Sequence, residues 1–223
     1  MSVYAFSDIH GNYNLFKQIK DFLKSDDRCY VLGDCADRGK DGYLIIKKVL
    51  EDSRFIYIKG NHEDMFANSI LLPADCEYRA DYIRCWMQNG GENTVRAFRK
   101  DNSPMDIVIQ LNNLPEVMDY TNADGITYIM SHAGFSPQTP EEHRDYLWDR
   151  THFEYDDNTI SPNIVILHGH TPIRYMANKE INNGVYIYNK GRKINLDCGT
   201  AATNRVVLYN LDNYSVKDFY SDN

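Results

Sequence analysis

Short apolar runs alternate with stretches of helical spacing along the first third of the chain. The pattern predicts a strand at Ser2–Ser7, a helix at Tyr13–Leu23, a strand at Arg28–Leu32, a helix near Tyr43–Leu50 and a strand at Phe55–Lys59. Strand–helix–strand repetition of this kind predicts a largely parallel sheet with right-handed crossovers. From about Glu63 to Leu114 the spacing is helical, with breaks at Pro73, Gly90–Gly91 and Ser103–Pro104. Strand patterns return at Ile126–Met130, Asn163–Leu167, Val185–Tyr188, Lys193–Leu196 and Arg205–Asn210, while Ser136–Asp157 is rich in Pro, Asp, Glu and His and reads as loop. No linker composition divides the chain. One α/β domain over 1–223 with a helical insertion at about 63–114 is expected.

Composition changes this picture little. The 223 residues are 43% hydrophobic and 25% charged, as in ordinary globular domains. No apolar run is long enough for a membrane span, and the N-terminus runs directly into the first strand without the features of a secretory signal. The five cysteines show no zinc-type pairing, so reduced thiols and a cytoplasmic location are expected. The formal charge of −8 argues against a general nucleic-acid binder. An anionic substrate would then need a local reversal of field, which bound cations provide.

The candidate chemistry falls where predicted strands end. Asp8-Ile9-His10-Gly11 follows the first, Gly33-Asp34-Cys35-Ala36-Asp37-Arg38-Gly39 the second, and Gly60-Asn61-His62-Glu63 the third. Later strands end in Ser131-His132-Ala133-Gly134 and His168-Gly169-His170-Thr171-Pro172. Each motif alone has an ordinary reading as a turn, a helix cap or an ion pair. Together they are different, because the carboxyl ends of parallel strands share one edge of a sheet, where ligands bind.

In this order the motifs D-x-H-G, G-D-x-x-D-R-G, G-N-H-E, H-A-G and G-H-T-P resemble those of the PPP-type metallophosphatases, within the calcineurin-like metallophosphoesterase superfamily. The H-A-G form is similar to the bacterial and bacteriophage branch. Trp86-Met87-Gln88-Asn89-Gly90-Gly91, Leu147-Trp148-Asp149-Arg150 and Ile194-Asn195-Leu196-Asp197-Cys198-Gly199 extend the likeness over Val3 to about Leu211.

The resemblance implies a four-layer α-β-β-α sandwich with two mixed β-sheets and the metal site at the carboxyl ends of the strands. It implies two divalent metal ions held by Asp8, His10, Asp34, Asn61, His132 and His170, with Asp34 bridging. Carboxylate, imidazole and amide donors without thiolate suit Mn, with Fe or Zn as alternatives. It further implies in-line attack by a hydroxide shared between the ions, His62 as general acid paired with Asp37, and Arg38 and Arg150 as phosphate clamps. His168 is the competing choice for the ligand assigned to His170. His143 and His152 are expected in solvent, Cys35 in a packing role, and the rings of Tyr78–Met87 in the core of the insertion.

The function expected on these grounds is a metal-dependent phosphomonoesterase, a serine/threonine protein phosphatase acting on phosphoproteins or phosphopeptides, with phosphotyrosine as a further substrate. The alternative is a dinucleoside polyphosphate hydrolase acting on substrates such as diadenosine tetraphosphate. A metal-binding scaffold without catalysis is disfavoured because no ligand or acid of the pattern is missing. The scattered arginines of the insertion and the −8 charge weigh toward the phosphopeptide reading.

Overall fold

A computed structural model describes residues 1–102, 104–155, 160–176 and 184–222. Two five-stranded mixed sheets stack face to face. The first contains β1 (Val3–Phe6), β2 (Arg28–Val31), β3 (Phe55–Tyr57), β9 (Arg205–Asn210) and β10 (Val216–Tyr220), in the spatial order β10-β9-β1-β2-β3. The second contains β4 (Val117–Thr121), β5 (Thr127–Ser131), β6 (Ile164–His168), β7 (Tyr186–Tyr188) and β8 (Lys193–Asn195), in the order β4-β5-β6-β8-β7.

Within the sheets, β1, β2 and β3 run parallel, as do β5, β6 and β8. Their carboxyl ends therefore gather the motif loops. The period-2 alternation of each strand divides the core. Val3, Ala5, Tyr30, Leu32, Val207 and Tyr209 meet Tyr128, Met130, Val165, Leu167 and Ile194 of the second sheet. The alternate residues Phe6, Cys29, Val31, Val206 and Leu208 face the helices.

Those helices are α1 (Tyr13–Phe22), α2 (Gly42–Glu51), α3 (Asn61–Leu71), α4 (Arg79–Gln88), α5 (Glu92–Phe98) and α6 (Pro104–Asn112). Helix α1 buries Leu15, Phe16 and Ile19 on one stripe, and Asn12 caps it by accepting from the Leu15 N–H at 3.2 Å. Each large apolar side chain buried in this way contributes roughly 1.5–3 kcal/mol. The breaks expected inside the insertion separate α3 from α4, α4 from α5 and α5 from α6. The outer face of the second sheet is covered by the connection after β5, where Phe135 and Ile160 pack on Ile166.

Two strands have no counterpart in the sequence pattern. Both β4 and β10 are antiparallel edge strands, the first carrying exposed Asp119 and the second exposed Lys217 and half-buried Asp218. Charge on an edge strand blunts its exposed backbone, and it also erases the apolar alternation that would reveal the strand. The short α7 (Thr200–Thr203), between the left-handed residues Gly199 and Asn204, was likewise not expected.

Candidate metal centre

The loops that leave the strands turn sharply. Asp8, His10, Asp34, Asp37, Arg38 and His170 all have left-handed backbone, with φ between 41° and 67°. Short polar residues tolerate that region better than branched ones, and such strain collects at functional sites. Gly169 has no alternative. A Cβ there would lie 1.9 Å from Ser7 Oγ and 2.1 Å from Asp8 Oδ2.

Asp34 sits at the centre, and its two oxygens face different partners. Its Oδ1 lies 3.3 Å from His132 Nε2, while its Oδ2 lies 3.6 Å from His10 Nε2 and 3.7 Å from His62 Nε2. On the first side His132 Nε2 and Asn61 Oδ1 are 2.9 Å apart, and His170 Nδ1 is 3.2 Å from both. On the second, Asp8 Oδ1 lies 3.9 Å from His10 Nε2. The six ligands expected from the motifs thus converge on two sides of one carboxylate. Among the described residues, His10–Asp34–His62 and Asp8–Asp34–His132 each bring three ligating atoms within 4.8 Å of one another.

Donor balance shows that this arrangement suits cations. His132 Nδ1 is 2.7 Å from the Leu32 carbonyl and donates to it, so Nε2 presents a lone pair. That lone pair faces the oxygen lone pairs of Asn61 and Asp34. His10 repeats the pattern, with Nδ1 donating to the Ala36 carbonyl at 3.1 Å. Asp8 Oδ1 and His170 Nε2 are buried without a hydrogen-bond partner. Acceptors crowded against acceptors, together with orphaned buried atoms, need positive charge between them.

The acids themselves call for positive charge at this point. Against burial, Asp34 and Asp8 raise the His132 pKa to about 10, so in the absence of a cation a proton occupies the Nε2 lone pair, and a bound cation would displace it. Burial also works against ionised Asp34, but His132, His62 and His10 hold it well below the usual carboxylate range. Burial depresses His10, and burial together with His132 and Arg150 pushes His170 down to about 2. Both imidazoles are therefore neutral and able to ligate.

Beside this cluster, His62 Nδ1 is 2.7 Å from Asp37 Oδ2 and its Nε2 is 3.1 Å from Arg38 Nη2. Burial lowers the His62 pKa, but Asp34 and Asp37 outweigh it and the net shift is upward. The Arg38 side chain is solvent-exposed and so is Arg150, whose charge reaches His170. Glu63, which the sequence shows only as the last residue of the G-N-H-E motif, has a role that local pattern does not reveal. Fully buried, its Oε2 accepts from the N–H groups of Asp34 (2.7 Å) and Gly60 (3.0 Å), and its Oε1 from those of Cys35 (3.0 Å) and Ala36 (3.1 Å). One side chain thereby ties the end of β2 to the start of α3 and fixes Asp34.

The expectations for His168, His143 and Cys35 hold, while those for His152 and Tyr78 change. His168 does not reach the cluster; its Nε2 meets the Tyr188 hydroxyl at 2.8 Å. His152, expected in solvent, is fully buried, and its Nδ1 lies 3.2 Å from the same hydroxyl. Ring stacking against Phe153 and the edge of His168 makes that position interior. His143 is exposed. Cys35 is buried, and burial pushes its thiol pKa well above the ordinary value, as suits an inert packing residue. Tyr78 is exposed and does not belong to the core of the insertion; with Tyr82, Met65, Cys85 and Trp148 it lines an open apolar shelf of about 580 Å³. Trp148 meets His170 edge-on at 6.0 Å, so the shelf borders the metal cluster. A polar cavity of about 320 Å³ opens beside His10 and Arg38, lined also by Asn12, Lys40 and Asn204.

A carboxylate placed between two sets of imidazole, carboxylate and amide donors suits a hydrolytic binuclear metal enzyme, and the family of the chain is of that class. The calcineurin-like phosphoesterase family profile matches residues 1–204, and the chain belongs to that family. It is 34% identical over 154 residues to the symmetrical bis(5'-nucleosyl)-tetraphosphatase of Nitrosospira multiformis, across 66% of this chain and 48% of that protein. The corresponding protein of Wigglesworthia glossinidia brevipalpis is 35% identical over 78 residues, 33% of this chain and 28% of that protein. The chain thus spans about half the length, or less, of these curated relatives. Among solved structures, a Saccharomyces cerevisiae serine/threonine phosphatase with similarity to human phosphatase PP5 superposes with a TM-score of 0.58 at 15% identity, over 100% of this chain and 81% of its own.

Proposed function

We propose that this phosphoesterase hydrolyses dinucleoside polyphosphates of the diadenosine tetraphosphate type, the alternative reading of the sequence. The observation that carries the choice is the aromatic shelf against His170. A nucleobase needs a flat apolar surface within reach of the metal centre, and Trp148, Tyr82 and Tyr78 supply one. The curated relatives named as symmetrical bis(5'-nucleosyl)-tetraphosphatases support the same reading. The cavity beside His10, whose wall carries Arg38 and Lys40 as well as Asp41 and Asp222, offers room for the remaining polyphosphate, with the arginine nearest the metal cluster.

In this reading Asp8, His10 and Asp34 would hold one divalent ion, and Asp34, Asn61, His132 and His170 would hold the other. When bound, two such ions supply Lewis acidity and acidify the attacking water. The protein does the rest. Arg38 and Arg150 grip phosphoryl oxygens with guanidinium forks. His62 gives its Nε2 proton to the leaving oxygen while Asp37 holds Nδ1 and fixes the ring. The resting contact between Arg38 and Nε2 needs a lone pair on that nitrogen, so the acid form of His62 requires Arg38 to swing to the substrate.

Side-by-side kinetics with Mn on diadenosine tetraphosphate and a phosphopeptide panel test the substrate. We expect the higher kcat/KM on the dinucleotide, with two molecules of adenosine diphosphate as product. Trp148→Ala should weaken dinucleotide use roughly 5–100-fold through KM, the range of one base–aromatic stack, and spare p-nitrophenyl phosphate. A higher kcat/KM on phosphopeptides would restore the protein phosphatase reading.

A further inference from the structure

The motif Trp86-Met87-Gln88-Asn89-Gly90-Gly91 lies in the helical insertion, away from every metal-cluster residue in sequence. Its geometry nevertheless points at the acid. The Trp86 indole N–H lies 3.0 Å from both Asp37 Oδ1 and Oδ2, and the ring is 2% exposed. Thr94, on α5, donates its hydroxyl to Asp37 Oδ1 at 2.6 Å and accepts the Asp37 backbone N–H at 3.1 Å. With the 2.7 Å contact to His62, the Asp37 carboxylate is fully engaged by three side chains.

The turn between α4 and α5 is shaped to permit this. Gly90 adopts φ 94°, and its carbonyl accepts the Arg38 N–H at 3.1 Å, so the same turn anchors the backbone of the exposed arginine. A Cβ on Gly91 would lie 2.6 Å from Trp86 Nε1, so only glycine lets the chain pass the indole. Phe66 of α3, five residues from Asn61, stacks on the Trp86 ring at 4.9 Å and 18°, which locks its rotation.

We infer that Trp86 and Thr94 are positioning residues for the His62–Asp37 pair, and that the insertion serves as the scaffold of the general acid. This rests on the reading of His62 as that acid. An Asp37 free to rotate would let His62 turn away from the leaving oxygen. The indole N–H shared between both oxygens and the Thr94 hydroxyl on Oδ1 fix the carboxylate plane, which keeps Oδ2 on His62 Nδ1. The arrangement is expensive in sequence terms, since it needs Trp, two glycines and Thr at fixed spacing. It also explains why a tryptophan, and not merely a large apolar ring, stands at 86.

Two readouts test it. The first is magnetic resonance of the indole N–H groups in the metal-free protein, where the chain's two tryptophans give two signals and Trp148→Phe assigns them. The Trp86 signal should exchange slowly with solvent and should move on Asp37→Asn. The second is kinetic, in the Mn-loaded enzyme with diadenosine tetraphosphate and p-nitrophenyl phosphate. Trp86→Phe keeps the stack on Phe66 and removes only the N–H; it should lower kcat about 10-fold with KM within about two-fold, in the range of losses seen for partners one step removed from a reacting group. Thr94→Val should behave alike, and serves if Trp86→Phe fails to fold. In a His62→Asn background neither change should cost anything further.

Additive losses in that background, or an indole signal indifferent to Asp37→Asn, would overturn the inference while leaving the acid in place. Full kcat in His62→Asn on both substrates would remove the acid assignment, and the inference with it.

Discussion

Two buried histidine clusters lie side by side in this protein and have opposite characters. Around Asp34, His10, His132 and His170 turn lone pairs toward carboxylate and amide oxygens. Around the Tyr188 hydroxyl, His152 and His168 meet a group that can both donate and accept, and the fully buried Lys193 donates its amino group to the His152 carbonyl at 3.0 Å. Burial alone does not separate them, because it drives His152 down to about 3 and helps drive His170 to about 2. Charge does. The first cluster has buried acids and crowded acceptors, while the second already contains a lysine. A dication is stabilised in one and repelled in the other. Histidine content therefore says little about metal binding until the donors and acceptors around each ring are counted.

The sharpest way to break this contrast is Asp34→Asn. Removing the shared carboxylate charge should cost both metal ions and, as a ligand, more than the roughly 10–100-fold typical of an outer partner. Elemental analysis beside the rate measurement checks this; two fully occupied metals in the variant would mean that Asp34 does not bridge. Glu63→Gln should have the next largest effect. The amide nitrogen would face two of the four backbone donors, which should cost about 2–4 kcal/mol in denaturant unfolding of the metal-free protein. Metal affinity should fall as well, by about 10–100-fold. An unchanged affinity would show that the β2 loop holds its shape without the clamp.

The smallest effect belongs to the second cluster. Tyr188→Phe deletes the hydroxyl that joins His168 to His152 and should cost about 1 kcal/mol of stability. Metal content and kcat should remain those of the parent. Lost metal in this variant would join the two clusters into one functional unit, since Gly169 connects His168 to His170.

Much of the fold and of the site was legible in the chain. Strands that are apolar and parallel announce themselves, and each ends in a motif whose residue types already suit a metal. The Asp8, His10, Asp34, Asn61, His132 and His170 set is what the family resemblance implies, and these residues lie together because parallel strands bring their carboxyl ends to one edge. Residues such as Gly11, Gly33 and Gly60 mark turns where backbones or ligand side chains come within 3 Å of a would-be Cβ. Local pattern was enough there, because each element carries its own periodicity and each motif its own turn.

What needed three dimensions was every relation between elements without a shared local pattern. Nothing in Trp86 or Thr94 as sequence says that they converge on Asp37, some fifty residues earlier, since that contact depends on how α4 packs on α3 and α5 on α2. His168 and His170 are two apart and equally good ligands by composition; the left-handed turn at His170, with its N–H 3.0 Å from Asp8 Oδ2, sends one to the metal side and leaves the other with Tyr188. The shelf of Met65, Tyr78, Tyr82 and Trp148 combines two helices and a distant loop. Sequence determines which groups a strand end or helix face presents. Tertiary packing decides which of them meet, because a side chain's partner is set by the placement of whole elements and not by its neighbours along the chain.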